Sequence, residues 1–529
     1  MSHSDNGKGF YETGGMSRRR FVGGVAAGVA GVTAGGVLVP SGALAQQQPK
    51  KGGRLRLGWY SHGPNDTLDP RKTVTTLDYH RAYQVANTLT RCSRKYKPEP
   101  ELAESWEASD GGKVWTFKLR KGVTFHNGKT LDAEDVIASL SLHVGPESTS
   151  AVKSWFTGVT EMKADGKDVV RITLNAPNAD MPMYVSDMHT VIFPAGFKDF
   201  DNFVGTGPFV LKSFKPGVGM LVARNPNYFI SGRPYVDEVE SFGIGESEAR
   251  TNALLAGNVD YISRVDPRVV ELINSRAGFE AAASKTGRHL NFPMMCDRAP
   301  TQNADLRKAL RLLADRKGML ADVQRGYGML ANDHPIAPTD PYYDASVPQR
   351  DFDLDKAKFH LKKAGMENLS LDLHTSETVG GATGPSLAVH FAESAAKAGL
   401  TINVKRQPPS NYWGAIWMKQ PFHMGHWQPR PTADLMLSLA FLSEAPWNDG
   451  RYKNPQVDKL ILEARGTLED GKRKQLYGEV QRMLNEEGGS MIPLFEDWID
   501  AKSKRIQGYE SHPLFEGAAG RLAEEVWLA

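Results

Sequence analysis

The ten residues from His426 to Leu435, HWQPRPTADL, place an indole, a guanidinium between two prolines and a carboxylate in one short segment. Prolines fix φ and remove backbone N–H donors, so the segment is stiff. Trp427 offers a face for stacking. Arg430 offers a planar fork of donors that matches a carboxylate or phosphate. Asp434 offers an acceptor for an ammonium group. A plainer reading stands beside this one: Trp427 packs in a core, and Arg430 is solvated or pairs with Asp434. Upstream, Tyr412, Trp413 and Trp417 recur at near-helical spacing in NYWGAIWMK, a pattern that serves packing more often than recognition.

Covalent, metal and cofactor chemistry has no signature. The chain contains no G-x-S-x-G elbow, no H-E-x-x-H, no P-loop and no C-x-x-C. His423 and His426 form the one close histidine pair, and in a strand their spacing points them to opposite faces, so no metal site is expected. No catalytic residue and no cofactor are expected either. Cys92 and Cys296 lie far apart, which leaves one bridge or two buried thiols equally open.

The bulk numbers narrow the class. At 529 residues the chain is too long for one core. Hydrophobic content of 40%, charged content of 24% and a net charge of +3 describe an ordinary globular protein with no polyanion partner. The N-terminus reads as an address. Arg18 and Arg19 precede Phe21, an apolar Gly/Ala-rich run extends to Val39, and Ala43-Leu44-Ala45 is a cleavage site. That is a signal peptide of residues 1–45 resembling the twin-arginine export signal; a retained membrane anchor is the weaker reading, because the run is short and glycine-rich. The expected product is a soluble periplasmic protein.

Alternating and helical patterns must then position the candidate residues. GGRLRLGWY (52–60) reads as a first strand, and KVWTFKLRKGVTF (113–125) as another with Trp115, Phe117 and Leu119 on one face. LDAEDVIASLSLH (131–143) reads as a helix capped by Thr130 or Asp132. GTGPFVLKSFKPGVGMLVARNPNY (205–228) reads as a hairpin. NADLRKALRLLADR (303–316) and NPQVDKLILEAR (454–465) read as amphipathic helices, and GPSLAVHFAESAAKAGLTINVKR (384–406) as helix, glycine cap and strand. The class is α/β.

Six blocks in order resemble one family. LAESWEASDGGKVWTFKLRKGVTFHNGKTLDAEDVIASL (102–140), GTGPFVLKSF, ARNPNYF with GRPYVDEVE, ADLRKALRLLADRKGML, RYKNPQVDKLILEAR and MIPLFEDW (491–498) are similar to the peptide, dipeptide, oligopeptide and nickel-binding solute receptors (family 5) of ABC transporters. The resemblance implies a two-lobed periplasmic-binding-protein fold of type II, of the large class with an extra subdomain in lobe I and a ligand cleft between lobes. Crossovers would fall near 287–289 and 497–500, so lobe I would be 46–287 with 498–529 and lobe II 288–497. It also implies a monomeric receptor that delivers a small-molecule or peptide solute to an inner-membrane permease, with no nucleic-acid partner.

The implied residues depart from the family's dipeptide clamp. The family's G-W-x-x-D acid, which pairs with a peptide's ammonium, is here Arg430, with Asp434 four residues on. The family's carboxylate-reading arginine falls in TSETVGG, at Ser376 and Thr378. The loop TLDPRKTVTT, brought to the cleft in the family, adds Thr73 and Thr75. Peptide transport is the leading expectation. A receptor for an anionic non-peptide (opine, sugar phosphate or modified amino acid) and an exported cofactor-containing enzyme are the alternatives.

Overall fold

Alternation in GGRLRLGWY becomes the strand Arg54–Trp59, whose Leu55, Leu57 and Trp59 turn into the core. The computed structural model describes residues 48–529. The N-terminal address, with Arg18, Arg19 and the cleavage position after Ala45, lies outside the described residues. Arg54–Trp59 pairs in parallel with Glu238–Gly243 on one side and Tyr261–Ile262 on the other. Beyond Glu238–Gly243 lies the expected hairpin, Phe209–Lys215 with Gly219–Arg224.

On the other side Tyr261–Ile262 leads to two long antiparallel strands, Ser490–Ser503 and Phe279–Pro293. They run beside each other for nearly their whole length, and their register shifts twice, first and most sharply between Lys285 and His289. Lys285 faces Asp497 and His289 faces Phe495, so residues 286–288 bulge opposite the single residue Glu496. A bulge bends a strand and raises its twist. The Thr286 hydroxyl donates to the Glu496 carbonyl at 2.7 Å and pins the bend. Past it, Gly425–Trp427 pairs with 289–291 and Gly328–Leu330 with 494–496, completing a nine-stranded sheet.

A separate four-stranded antiparallel sheet is built from Ala103–Ser109, Val114–Leu119, Val169–Leu174 and Val159–Ala164. Trp115, Phe117 and Leu119 share its buried face. The helix Ala133–Ser141 covers this sheet and starts in a capping box, with Asp132 and Asp135 each holding the other's backbone N–H. The parallel pair Ser370–Thr375 and Thr401–Arg406 is bridged by the helix Thr383–Ala396, and Gly399 takes the left-handed turn between helix and strand at φ 90°. Asn303 and Asn454 cap the helices Ala304–Leu312 and Pro455–Gly466.

The apolar cores follow this division. One gathers Leu55, Trp59 and Leu77 with Trp498, Leu522 and Val526, joining the chain's beginning to its end. Another gathers Leu290, Phe292, Leu310, Phe391 and Leu494. A third fills the four-stranded sheet around Phe117, Val136 and Ile172. The architecture is α/β and two-lobed. Among the described residues no helix is long and apolar enough to cross a membrane. Cys92 and Cys296 are free thiols rather than a bridge.

The GTGPF segment is tightly constrained. A Cβ on Gly207 would lie 2.3 Å from the Val85 carbonyl carbon and 2.4 Å from the Ala86 nitrogen, at the end of the helix Thr76–Val85. Backbone on both sides cannot yield, so Gly207→Ala is expected to cost about 3 kcal/mol, the upper end for overpacking. Thermal melts compared with Gly63→Ala check this, because a Cβ on Gly63 meets nothing within 4 Å.

Candidate functional site

Two cavities meet at Trp498, beside the bulge of the two long strands. A vestibule of about 610 Å³ and a chamber of about 480 Å³ share Tyr60, Arg264, Gln428 and Trp498 as a common wall. Each of the four arrives from a different element. Tyr60 follows the strand Arg54–Trp59, and its hydroxyl bonds Thr76 at 3.0 Å. Arg264 follows the two-residue strand Tyr261–Ile262. Trp498 lies on the strand Ser490–Ser503, two residues past the bulge. Gln428 follows Gly425–Trp427, where the chain leaves the sheet and Pro429 and Pro431 stiffen the loop around Arg430.

Arg264 is held between two rings, its guanidinium 4.0 Å from the centre of Tyr60 and 4.2 Å from that of Trp498. Such stacking orients a cation and leaves its edge donors free. Its Nε lies 3.4 Å from Glu516 Oε1, and its two terminal nitrogens have no protein partner among the described residues. The backbone of Arg264 is left-handed, at φ 53°. That conformation is uncommon for a non-glycine residue and needs support from its surroundings. Arg250 supplies it. Its guanidinium donates to the carbonyls of Ser263 at 3.1 Å, Arg264 at 3.1 Å, Ile244 at 2.8 Å and Gly245 at 2.5 Å. Burial, with Arg264 beside it, lowers Arg250 to about 10. Arg250 therefore acts as a brace for Arg264.

The chamber is lined by the aromatic rings of Tyr79, Trp155, Trp447 and Phe515. Arg430 faces it. The guanidinium makes one long bond, 3.4 Å to the carbonyl of its own neighbour Pro429, and its Nε is sealed from solvent without a partner. No carboxylate stands within ion-pair distance of it among the described residues. Burial lowers its pKa, opposed by Tyr79 and Asp187. Asp187 Oδ1 accepts from the His189 backbone at 3.0 Å and contacts His189 Nδ1 at 2.5 Å.

The vestibule is polar, and its acids are engaged. Asp266 is taken by Arg268, Asp497 by Lys285 at 2.8 Å, and Glu496 by Arg288 together with Gln324 at 2.9 Å.

Of the residues singled out in the sequence, Arg430 and Thr73 line the chamber and Thr378 lines the vestibule. The others stand elsewhere. Trp427 is buried, donates to Asp449 Oδ2 at 3.2 Å and backs Trp447 from behind, so it supports the wall without facing the cavity. Asp434 does not replace a cleft acid, nor does it pair with Arg430. It is fully buried, with both oxygens 3.1 Å from Arg465 Nε and one accepting from Tyr184 at 3.0 Å. Tyr412 is core, its hydroxyl donating to backbone carbonyls of His374 and Met424. Trp413 is 38% exposed and donates to Thr378 at 3.1 Å. Ser376 is buried and accepts from the Thr378 backbone, and Thr75 caps the helix Thr76–Val85.

Sequence reading missed the shared wall. Tyr60 and Trp498 end stretches whose pattern was legible, but nothing local announced that they would meet. Arg264 carries no pattern at all, since its role comes from a tertiary sandwich and a left-handed backbone.

The family model of bacterial extracellular solute-binding proteins, family 5 (middle region), matches residues 97–449. The probable D,D-dipeptide-binding periplasmic protein DdpA of Escherichia coli K12 is 26% identical over 480 residues, covering 85% of this chain and 90% of its own. The periplasmic binding protein AgaA from Agrobacterium strain R10, solved with agropinic acid, superposes with a TM-score of 0.75 at 22% identity, covering 90% of this chain and 99% of its own. DppA of Helicobacter pylori, solved with the peptide STSA, gives 0.75 at 21% identity, covering 90% and 98%. At these identities the two structures speak to fold alone.

Proposed function

The chain belongs to the bacterial extracellular solute-binding proteins of family 5, and from that membership we propose that it is the receptor of an ABC import system. It holds a peptide or peptide-like solute between two lobes and passes it to a membrane permease, without altering the solute's bonds. The observation that carries this is the pair of cavities sharing one wall at the bend of the two long strands. A cleft beside a bend in paired strands suits closure around a solute by hinge motion, and the closed form is what a transporter recognises.

Lobe I is then 46–287 with 498–529 and lobe II 288–497. The bulge at 286–288 opposite Glu496 serves as the hinge. Residues 1–45 direct export by the twin-arginine route and are removed, leaving a monomer in the periplasm. The dipeptide and peptide named for DdpA and DppA support the peptide reading. Arg430 supports a second one, an anionic non-peptide solute, because it faces the chamber with no carboxylate at ion-pair distance among the described residues. Agropinic acid in AgaA is of that class.

Native mass spectrometry of protein purified from periplasm, followed by denaturing release, separates these readings. The expected result is one solute per chain, released as a series of peptides. A single non-peptide anion would replace the peptide reading and keep the receptor. A covalently held cofactor or a turned-over product would end both.

A further inference from the structure

Two cations face the chamber with unused donors. Arg264 presents both terminal nitrogens without a protein partner among the described residues, and Arg430 makes only its long bond to the Pro429 carbonyl. Arg430 is unpaired among the described residues, and an unpaired cation away from bulk water is costly, so a cavity that keeps it beside Arg264, of which Glu516 engages only the Nε, is suited to an anion. The acids on the chamber do not supply it. Glu516 is 2% exposed, with one oxygen near Arg264 and the other sealed. Asp187 is held by His189 through one oxygen and keeps only Oδ2 for another donor.

The walls say what accompanies the charge. Tyr79, Trp155, Trp447 and Phe515 suit an apolar or aromatic body rather than a hydrated inorganic anion. Trp447 is 42% exposed and Val74 67% exposed at this chamber, apolar surface that a bound body would cover.

We propose that the chamber is a carboxylate clamp: Arg264 and Arg430 hold one carboxylate of a solute whose adjoining apolar group packs on the aromatic wall. This rests on the receptor reading and narrows it to solutes with a free carboxylate beside an apolar residue. A free amine is not required of them. Arg430 reads the carboxylate, and Arg264 is its partner. Arg250 positions Arg264 and does not touch the solute.

The test uses N-acetyl-Leu-Phe and its C-terminal amide, which differ only in the carboxylate and leave Asp187 no amine to bind. Protein stripped of bound solute by unfolding and refolding is titrated with each by calorimetry. The acid is expected to bind roughly tenfold or more tightly than the amide, as a charge-assisted bidentate contact provides. Arg430→Met and Arg264→Met, each shown to be folded by circular dichroism, are expected to bring the two probes to near-equal affinity. Arg430→Lys should restore part of the preference through charge alone. Inorganic phosphate is expected not to compete. Equal binding of acid and amide by the native chain, binding of neither, displacement by phosphate, or a preference that survives both methionine variants overturns the clamp. The receptor reading is judged apart from it, by whether the purified protein carries and releases a solute.

Discussion

Acidification is expected to destabilise this protein between about pH 6.5 and about pH 4, through histidines rather than carboxylates. Burial pushes His80 and His426 down to about 3. It pushes His143, His289, His334, His423 and His512 down to about 4. All seven are neutral in the fold, whereas the unfolded chain binds protons at the ordinary value near 6.5. Their stability is therefore present above about pH 6.5 and lost as pH falls through the folded values. A buried histidine lowered by two units contributes about 2.7 kcal/mol, so a few of them reach the scale of a domain's whole stability.

Buried acids work the other way: burial raises Asp78, Asp180 and Asp497 above the ordinary carboxylate value, and three more likewise. Burial raises Asp500 to about 7, and Asp340 and Asp449 to about 6. The fold keeps their protons, so their contribution is full below the ordinary carboxylate range and lost as pH rises through 6 to 7. The lowered histidines outnumber the raised acids, whose loss runs over the same range, so stability rises with pH up to about 6.5 to 7 on a limb that the acids make shallower. Denaturant midpoints measured across this range check the sign. A midpoint that stays flat or rises from pH 7 to pH 5 would sink the argument, and His423→Gln should shallow the acid limb by about one proton.

The elements were largely legible because each is written in local pattern. Leu55, Leu57 and Trp59 alternate, Asn303 precedes an amphipathic run, and Asp132 and Asp135 stand at capping-box spacing. At the cavities Arg430 was legible as an arginine between two prolines, and Thr73 and Thr378 through the family resemblance. Trp427 and Tyr412 have types that suit a wall or a core equally, and only burial separates the two. The shared wall was not legible, since Tyr60, Arg264 and Trp498 come from three strands whose meeting is set by register. The relation of Arg430 to Asp434 misled for a local reason. Four residues apart suggests one helical face, but the helix begins at Ala433, capped by Thr432. Arg430 is thus in the loop before it, and Asp434 sits in the first turn, turned away from the chamber.

That turn makes Asp434→Ala a strong test of which residues belong to the fold and which to the solute. Asp434 is fully buried, accepts from Arg465 through both oxygens and from Tyr184 through one, and contacts the Ser438 hydroxyl at 3.2 Å. Removing it strands a guanidinium and a buried phenol, and breaking such a pair costs about 3–5 kcal/mol. The neighbouring acid Asp180, paired with Arg473 at 2.8 Å, feels Asp434 as a like charge, so its relief places the net loss toward the lower end. Asp434→Asn keeps the shape and should lose about 1–3 kcal/mol. Pairing Asp434→Ala with Arg465→Met should recover part of the loss, because the stranded cation goes with it. Through all of this the acid-over-amide preference of the folded variants should hold, since Asp434 lines neither cavity. Denaturation midpoints read the first effect and calorimetry the second. A stable Asp434→Ala that has lost solute would return Asp434 to the cleft and take the clamp's geometry with it.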